Sequence, residues 1–163
     1  MAKGDIVLKI EGAKTGLIKG ESANPDFVDA IDIREWSWGM AGQSTLSGAG
    51  TAGRSALHEL RLTKHVDRAS TALMSVMRNN EQVKKAVLTV RKAGGGKPVD
   101  YLIVTIERGR ITAFDVATAG PDSPELVERL SIAFEKIEVA YKAQDSKGAQ
   151  TAASTFTATT APN

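Results

Sequence analysis

The chain contains no cysteine in 163 residues. Disulfides, thiolate nucleophiles and cysteine metal ligands are therefore excluded, and stability must come from packing or assembly. Aromatic residues are scarce at 5%, with two tryptophans in all. No segment approaches the ~18 consecutive apolar residues of a membrane-spanning helix. Neither sign of charge dominates: 21 Lys and Arg face 19 Asp and Glu, for a net charge of +2. The basic residues are scattered, with no run that would track a phosphate backbone, so neither a nucleic acid nor a membrane is an expected partner. The two histidines, His58 and His65, fall on opposite faces of a strand with no carboxylate cluster beside them, and no metal site is expected. There is no Gly-x-Ser-x-Gly elbow and no His-Glu-x-x-His helix. Gly94-Gly95-Gly96-Lys97 lacks the first glycine of a phosphate loop and is followed by Pro98, which reads as a hairpin turn. Asp26, Asp29, Asp32 and Glu35 cluster along the chain but belong to a loop and a polar strand edge, a solvated arrangement. No catalytic constellation and no cofactor site emerge, and the chain does not read as an enzyme.

What is present is concentrated in one place. Both tryptophans occur in Glu35-Trp36-Ser37-Trp38-Gly39. Spacing of two puts both rings on one face of a strand and Ser37 on the other. Each ring brings roughly 150–250 Å² of surface to bury. Such a strand separates an apolar side from a side of small polar residues.

Strand signals dominate elsewhere too. Ile6, Leu8 and Ile10 alternate along the first strand, and Leu60 and Leu62 share a face within Leu57–Lys64. Val87–Arg91 and Val99–Ile106 flank the glycine turn as a hairpin. Gly109 is read as a further turn, leading to a strand over Arg110–Thr118. Val99–Ile106 is apolar on both faces, which calls for a covering element on its outer side, and Tyr101 and Ile103 become candidate interface residues. In Ile31–Trp38 and in Leu130–Tyr141 the apolar residues change phase midway. A bulge near Arg34-Glu35 and another near Glu135-Lys136 would restore a single apolar face in each. Long bent strands of this kind suit a closed or nearly closed barrel.

One helix is expected at about Arg68–Arg78, where Ala69, Ala72, Leu73, Val76 and Met77 form an amphipathic stripe. Asp67 is placed to cap it and Asn79-Asn80 to stop it. Met74 lies outside the stripe, as a residue at its flank or a contact to another subunit. Two segments carry almost no core residues: Ala41–Ser55, read as a long loop, and Ala143–Asn163, read as a flexible Ala/Thr-rich tail after a domain of residues 1–142. Met1-Ala2-Lys3-Gly4-Asp5 runs straight into the first strand with no apolar leader region, so the expectation is synthesis in the cytoplasm without a secretory signal.

Several blocks, in this order, resemble the Hcp family, the secreted tube proteins of bacterial type VI secretion. They are Ile18-Lys19-Gly20-Glu21-Ser22, Ile31-Asp32, and Trp36-Ser37-Trp38-Gly39 with its glycine-rich sequel. Next come Leu62-Thr63-Lys64-His65-Val66-Asp67-Arg68-Ala69-Ser70, Leu88-Thr89-Val90-Arg91-Lys92-Ala93-Gly94-Gly95 and Tyr101-Leu102-Ile103-Val104. Leu130-Ser131-Ile132-Ala133-Phe134-Glu135-Lys136-Ile137 and Tyr141 close the match. His65 departs from the pattern where an aromatic is common, as does Thr71 where proline often opens the helix. The resemblance implies a mainly β fold, an antiparallel two-sheet β-barrel with one flanking α-helix and a long extended loop. It implies a homo-hexamer whose rings stack head to tail into a tube, a lumen that carries small effector proteins, and tip, sheath and baseplate partners. On this basis Ser37, Asp32 and Arg34 are expected at the lumen. Gly42, Gln43, Ser44, Leu46, Gly48 and Arg54 are expected between rings, and Met74, Tyr101 and Ile103 at the subunit interface. The residues also admit a monomeric β-barrel that holds a ligand among Trp36, Trp38, Phe134 and Tyr141, and Ser37 is then only a small residue suited to strand packing.

Overall fold

The structure is a computed structural model that describes residues 5–42, 55–92, 99–143 and 152–160. The alternation of Leu8 and Ile10 with Lys9 and Glu11 builds β1 (Ile6–Gly12), and both Leu8 and Ile10 are fully buried. β1 turns back through Gly16 at φ 77° into β2 (Gly16–Leu17) and pairs along its other edge with β8 (Val83–Lys92). β8 continues the sheet to β9 (Val99–Thr118), β9 to β10 (Leu126–Tyr141), and β10 to β7 (Leu60–His65) and β4 (Glu35–Ser37). Every pairing is antiparallel. One buried cluster draws on Leu8 and Ile10 of β1 and on Leu60 and Leu62 of β7, so the sheet must curl until its two ends share a core.

The curl does not close into a barrel. β3 (Ile31–Asp32) pairs with β1, while β4, three residues on, pairs with β7. The segment thus reaches from one end of the sheet to the other, but its ladder breaks at Ile33-Arg34, where single bonds from Ile33 N to Ile6 O and Arg34 N to Thr63 O take over. The phase change falls where the apolar pattern required it: Ile31 and Ile33 are buried, Arg34 and Glu35 are both exposed, and Trp36 turns inward again. In β10 the same change separates buried Phe134 from buried Ile137, but without the expected bulge: Phe134 pairs with Gly109 and Lys136 with Glu107 in one register, and the register shift falls instead between Ser131 and Ile132.

Gly109 is not a turn. β9 runs straight through it, and the irregularity is the preceding Arg108, at φ 52°. Gly109 is needed for a close approach: a Cβ there would lie 2.6 Å from the carbonyl oxygen of Ala133 on β10.

The helix, α1 (Ser70–Arg78), starts two residues later than the stripe suggested. Ala69 flanks it without a side-chain cap, and Asp67 acts one step earlier: its Oδ1 accepts from Ala69 N at 2.9 Å while Ser70 Oγ accepts from Asp67 N at 2.9 Å. At the other end Asn80 takes φ 52°, with Asn80 N bonded to Met77 O and Glu81 N to Val76 O, a Schellman stop. Leu73 and Val76 enter the common core against β9.

The two core-poor segments behave differently. The arm after Trp38 is a ribbon at its base, where β5 (Met40–Ala41) pairs with β6 (Ala56–Leu57) in a two-stranded sheet of its own. Part of the expected flexible tail is ordered: Ser154–Thr159 forms β11, paired with β10 from Lys136 to Tyr141. β7 covers β10 only up to Ile132. The uncovered stretch of β10 needs backbone partners, and the β-prone Thr and Phe of this segment supply them. No helix among the described residues is long and apolar enough to cross a membrane.

Candidate functional site

The pleat of β4 and β7 sets the first surface. Trp36 pairs with Leu62 and both pack on the core side, so Ser37 and its partner Arg61 face outward. The same outward row continues through Ser131 on β10 to Ala113 on β9. A second row beside it holds Glu35, Thr63, Arg129 and Asp115. Thr112, the extra residue of a bulge in β9, hydrogen-bonds Glu59 at 2.9 Å and the Ser131 carbonyl at 3.3 Å. The wall is made of small, hydroxyl and mixed-charge side chains, with no large apolar residue in either row. Trp38 lies under it, its ring centroid 6.3 Å from that of Phe156 on β11. The Trp38 Nε1 is buried with no hydrogen-bond partner among the described residues.

The structure brings Ser37 and Arg34 to this wall and leaves Asp32 elsewhere. Arg34 lies at its rim, with its guanidinium 3.6 Å from Glu125, which also holds His65 Nδ1 at 2.9 Å. Asp32 sits across the break in the ladder, beside Val7, and lines a groove of about 670 Å³ with Asp5, Asn24, Asp26 and Arg91. In that groove Arg91 packs on Phe27, 4.8 Å from the ring centroid, and binds Asp26 and Asp100. Burial works against its charge, but the bonds to Asp100 and Asp26 outweigh it and raise the guanidinium pKa above its ordinary value.

The second outward surface belongs to the other half of the long strands. Ile103 stands between Thr89 and Ala140, and Tyr101 next to it lines a groove of about 350 Å³ with Lys92, Tyr141 and Lys142. Tyr101 and Ile103 are both half-buried, whereas Leu102, Val104 and Ile106 turn toward the core. Met74 is 39% exposed and lines a third groove with Met77, Arg78 and Phe114. Gly42 is exposed at the end of β5; Gln43, Ser44, Leu46, Gly48 and Arg54 lie outside the described residues, as do residues 94–98, the expected hairpin turn. Trp36, Trp38 and Phe134 pack with the core and line none of these three grooves. No group of three or more His, Asp or Glu able to hold a metal is found among the described residues.

Sequence reading missed one charged group altogether. Lys64 and Glu128 are both fully buried, with Lys64 Nζ 2.6 Å from Glu128 Oε2. The ammonium also reaches Asp67 Oδ1 at 2.9 Å, the His65 carbonyl at 2.9 Å and Ser70 Oγ at 3.3 Å. A signal was available: in Leu60, Leu62, Lys64 the lysine holds the same pleat position as two core leucines.

The chain is similar to known proteins over most of its length. The family described as "Type VI secretion system effector, Hcp" matches residues 7–141. Protein hcp1 of Pseudomonas aeruginosa is 33% identical over 139 residues, which is 84% of this chain and 85% of that protein. Among solved structures, a type six secretion system protein superposes with a TM-score of 0.83 at 20% identity, covering 96% of each chain. Hcp1 from Salmonella typhimurium superposes with a TM-score of 0.72 at 22% identity, covering 95% of each. At those identities the two superpositions speak for the fold.

Proposed function

Because the chain belongs to the Hcp family of type VI secretion proteins, we propose that it assembles into hexameric rings that stack head to tail as a tube, with small effector proteins carried in the lumen. The reading rests above all on the outward row Ser37–Arg61–Ser131–Ala113. A conduit wall needs side chains that water can wet and that leave room for cargo. This row has both properties, and the tryptophans behind it hold it in place. Arg34 sits at the lumen rim. Tyr101, Ile103 and Met74 serve the contacts between subunits, where half-buried apolar side chains gain from further burial. The arm that starts at β5 and β6 bridges neighbouring rings, Gly42 and the residues beyond it included. Export runs through the secretion machinery, with tip, sheath and baseplate proteins as partners. The role is structural, with no catalytic step.

Electron microscopy and sedimentation of the purified protein test the assembly. Rings with a central hole are expected, and a species that stays monomeric at high concentration would overturn the reading.

A further inference from the structure

We propose that Lys64 and Glu128 set the register of β7 against β10, and thereby select which side chains stand beside Ser37 in the outward wall. β8 with β9, and β9 with β10, are neighbours in sequence, so their connections constrain which residues meet. β7 and β10 have no such constraint. Lys64 and Glu128 are paired directly across the ladder although they lie 64 positions apart in the chain.

The apolar pattern leaves this register open. Leu60 and Leu62 face Ile132 and Leu130. Because side chains alternate with period two, a slip of two residues keeps every inward residue inward. In one direction it would set Lys64 opposite Leu130, and in the other opposite Leu126, with Glu128 opposite Leu62. Only the observed register lets the buried ammonium meet Glu128 while Asp67, Ser70 and the His65 carbonyl complete its shell. Glu128 Oε1 is buried without a hydrogen-bond partner among the described residues, so Lys64 carries the compensation of that charge. A slipped register would leave two buried charges facing aliphatic side chains, which proteins avoid.

The consequence reaches the surface through β4, which is paired to β7 at Ser37 and Arg61. A slip would move Arg61 from Ser131 to Arg129 or to Ala133, taking Ser37 with it. The register assignment stands on its own geometry; its effect on cargo rests on the lumen reading.

The absence of cysteine makes a direct test possible. Arg61→Cys with Ser131→Cys should form a disulfide in the native register. Arg61→Cys with Arg129→Cys, or with Ala133→Cys, reports a slip, because diagonal neighbours are too far apart to bridge. Each pair is built into the otherwise native chain and into a Lys64→Met/Glu128→Leu background, where both charges are replaced by side chains of similar bulk; Lys64→Met alone strands Glu128 and is a poor test. In the native background only the first pair should close. In the double variant the slipped pairs should rise to about a tenth or more of the cross-linked protein, a minor state made visible. A double variant that folds and closes only the native pair would overturn the proposal. So would one that fails to fold, since the pair would then be a requirement of the core and not a selector among registers. Effector retention measured on the same variants separates the two readings: a slip without loss of cargo leaves the register pin standing and removes the lumen assignment.

Discussion

β9 and β10 carry two outward faces of different character, and the change happens within the strands. On the Ala113 and Ser131 side, the outward residues are small, hydroxylated or charged, Arg129 and Asp115 among them. On the Ile103 and Ala140 side they are apolar and half-buried, with charge pairs such as Lys136–Glu107 further along. Between the two lie Arg108 in the left-handed region, Gly109 packed on the Ala133 carbonyl, and Glu135, whose carboxylate holds Arg108 at 2.7 Å. A continuous strand would carry one alternation from end to end. The joint lets one pair of strands present a wettable wall on one stretch and a more apolar one on the other, over a single core.

The strongest way to break that difference is from beneath. Trp36→Ala should cost about 3 kcal/mol, the low end for an aromatic truncation because the ring is half-buried, and chemical denaturation would read it. If stability hardly changes, the ring does not support the Ser37 wall. At the joint, Gly109→Val should cost about 1–3 kcal/mol, since the obstructing atom is backbone and one strand must shift. Thermal melting reads the loss, and an unchanged melting temperature would mean the joint is tolerant.

The two faces can then be separated by assembly against cargo. Ile103→Lys should weaken ring formation by roughly tenfold or more, about 1.4 kcal/mol or above, while the monomer keeps its far-ultraviolet spectrum. Sedimentation decides this, and intact rings would take Ile103 out of the interface. Ser37→Gln should do the reverse, leaving rings intact while effector retention falls. Equal retention would remove Ser37 from the lumen.

The smallest expected effect lies away from both faces. Glu81 accepts from Thr15 N and Thr15 Oγ1, each at 2.9 Å, and from Lys14 N at 3.1 Å. The Thr15 backbone bond leads in holding its carboxyl below the ordinary value, against a raising effect of burial. A depressed folded pKa contributes stability that is present above the ordinary carboxylate range and is lost as pH falls through the lowered value. Protection of the Thr15 amide, read as its exchange rate against the intrinsic rate at each pH, should therefore fall in acid, and Glu81→Gln should flatten that dependence. The same acid response in the variant would assign it to another group.

Much of the fold was legible in the sequence because its signals are local. The alternation of Leu8 and Ile10, the stripe of α1, the Asn79-Asn80 stop and the phase changes at Arg34-Glu35 and Glu135-Lys136 each follow from neighbours a few residues apart. Of the candidate wall, the sequence alone placed Ser37 opposite the tryptophans, by the pleat. The family resemblance set Asp32 at the lumen with Ser37, and the ladder break at Ile33-Arg34 separates them.

What only the tertiary structure decided has one physical cause: each case depends on a partner far along the chain. Lys64 is charged and would be taken as solvated, and it is buried because Glu128 meets it. Ser154–Thr159 has little core of its own, and it is ordered because β10 has an edge to satisfy. Gly109 looks like a turn, and it is a strand residue because the Ala133 carbonyl leaves no room for a side chain. Periodicity reports which way a side chain points; what waits there is set by the fold.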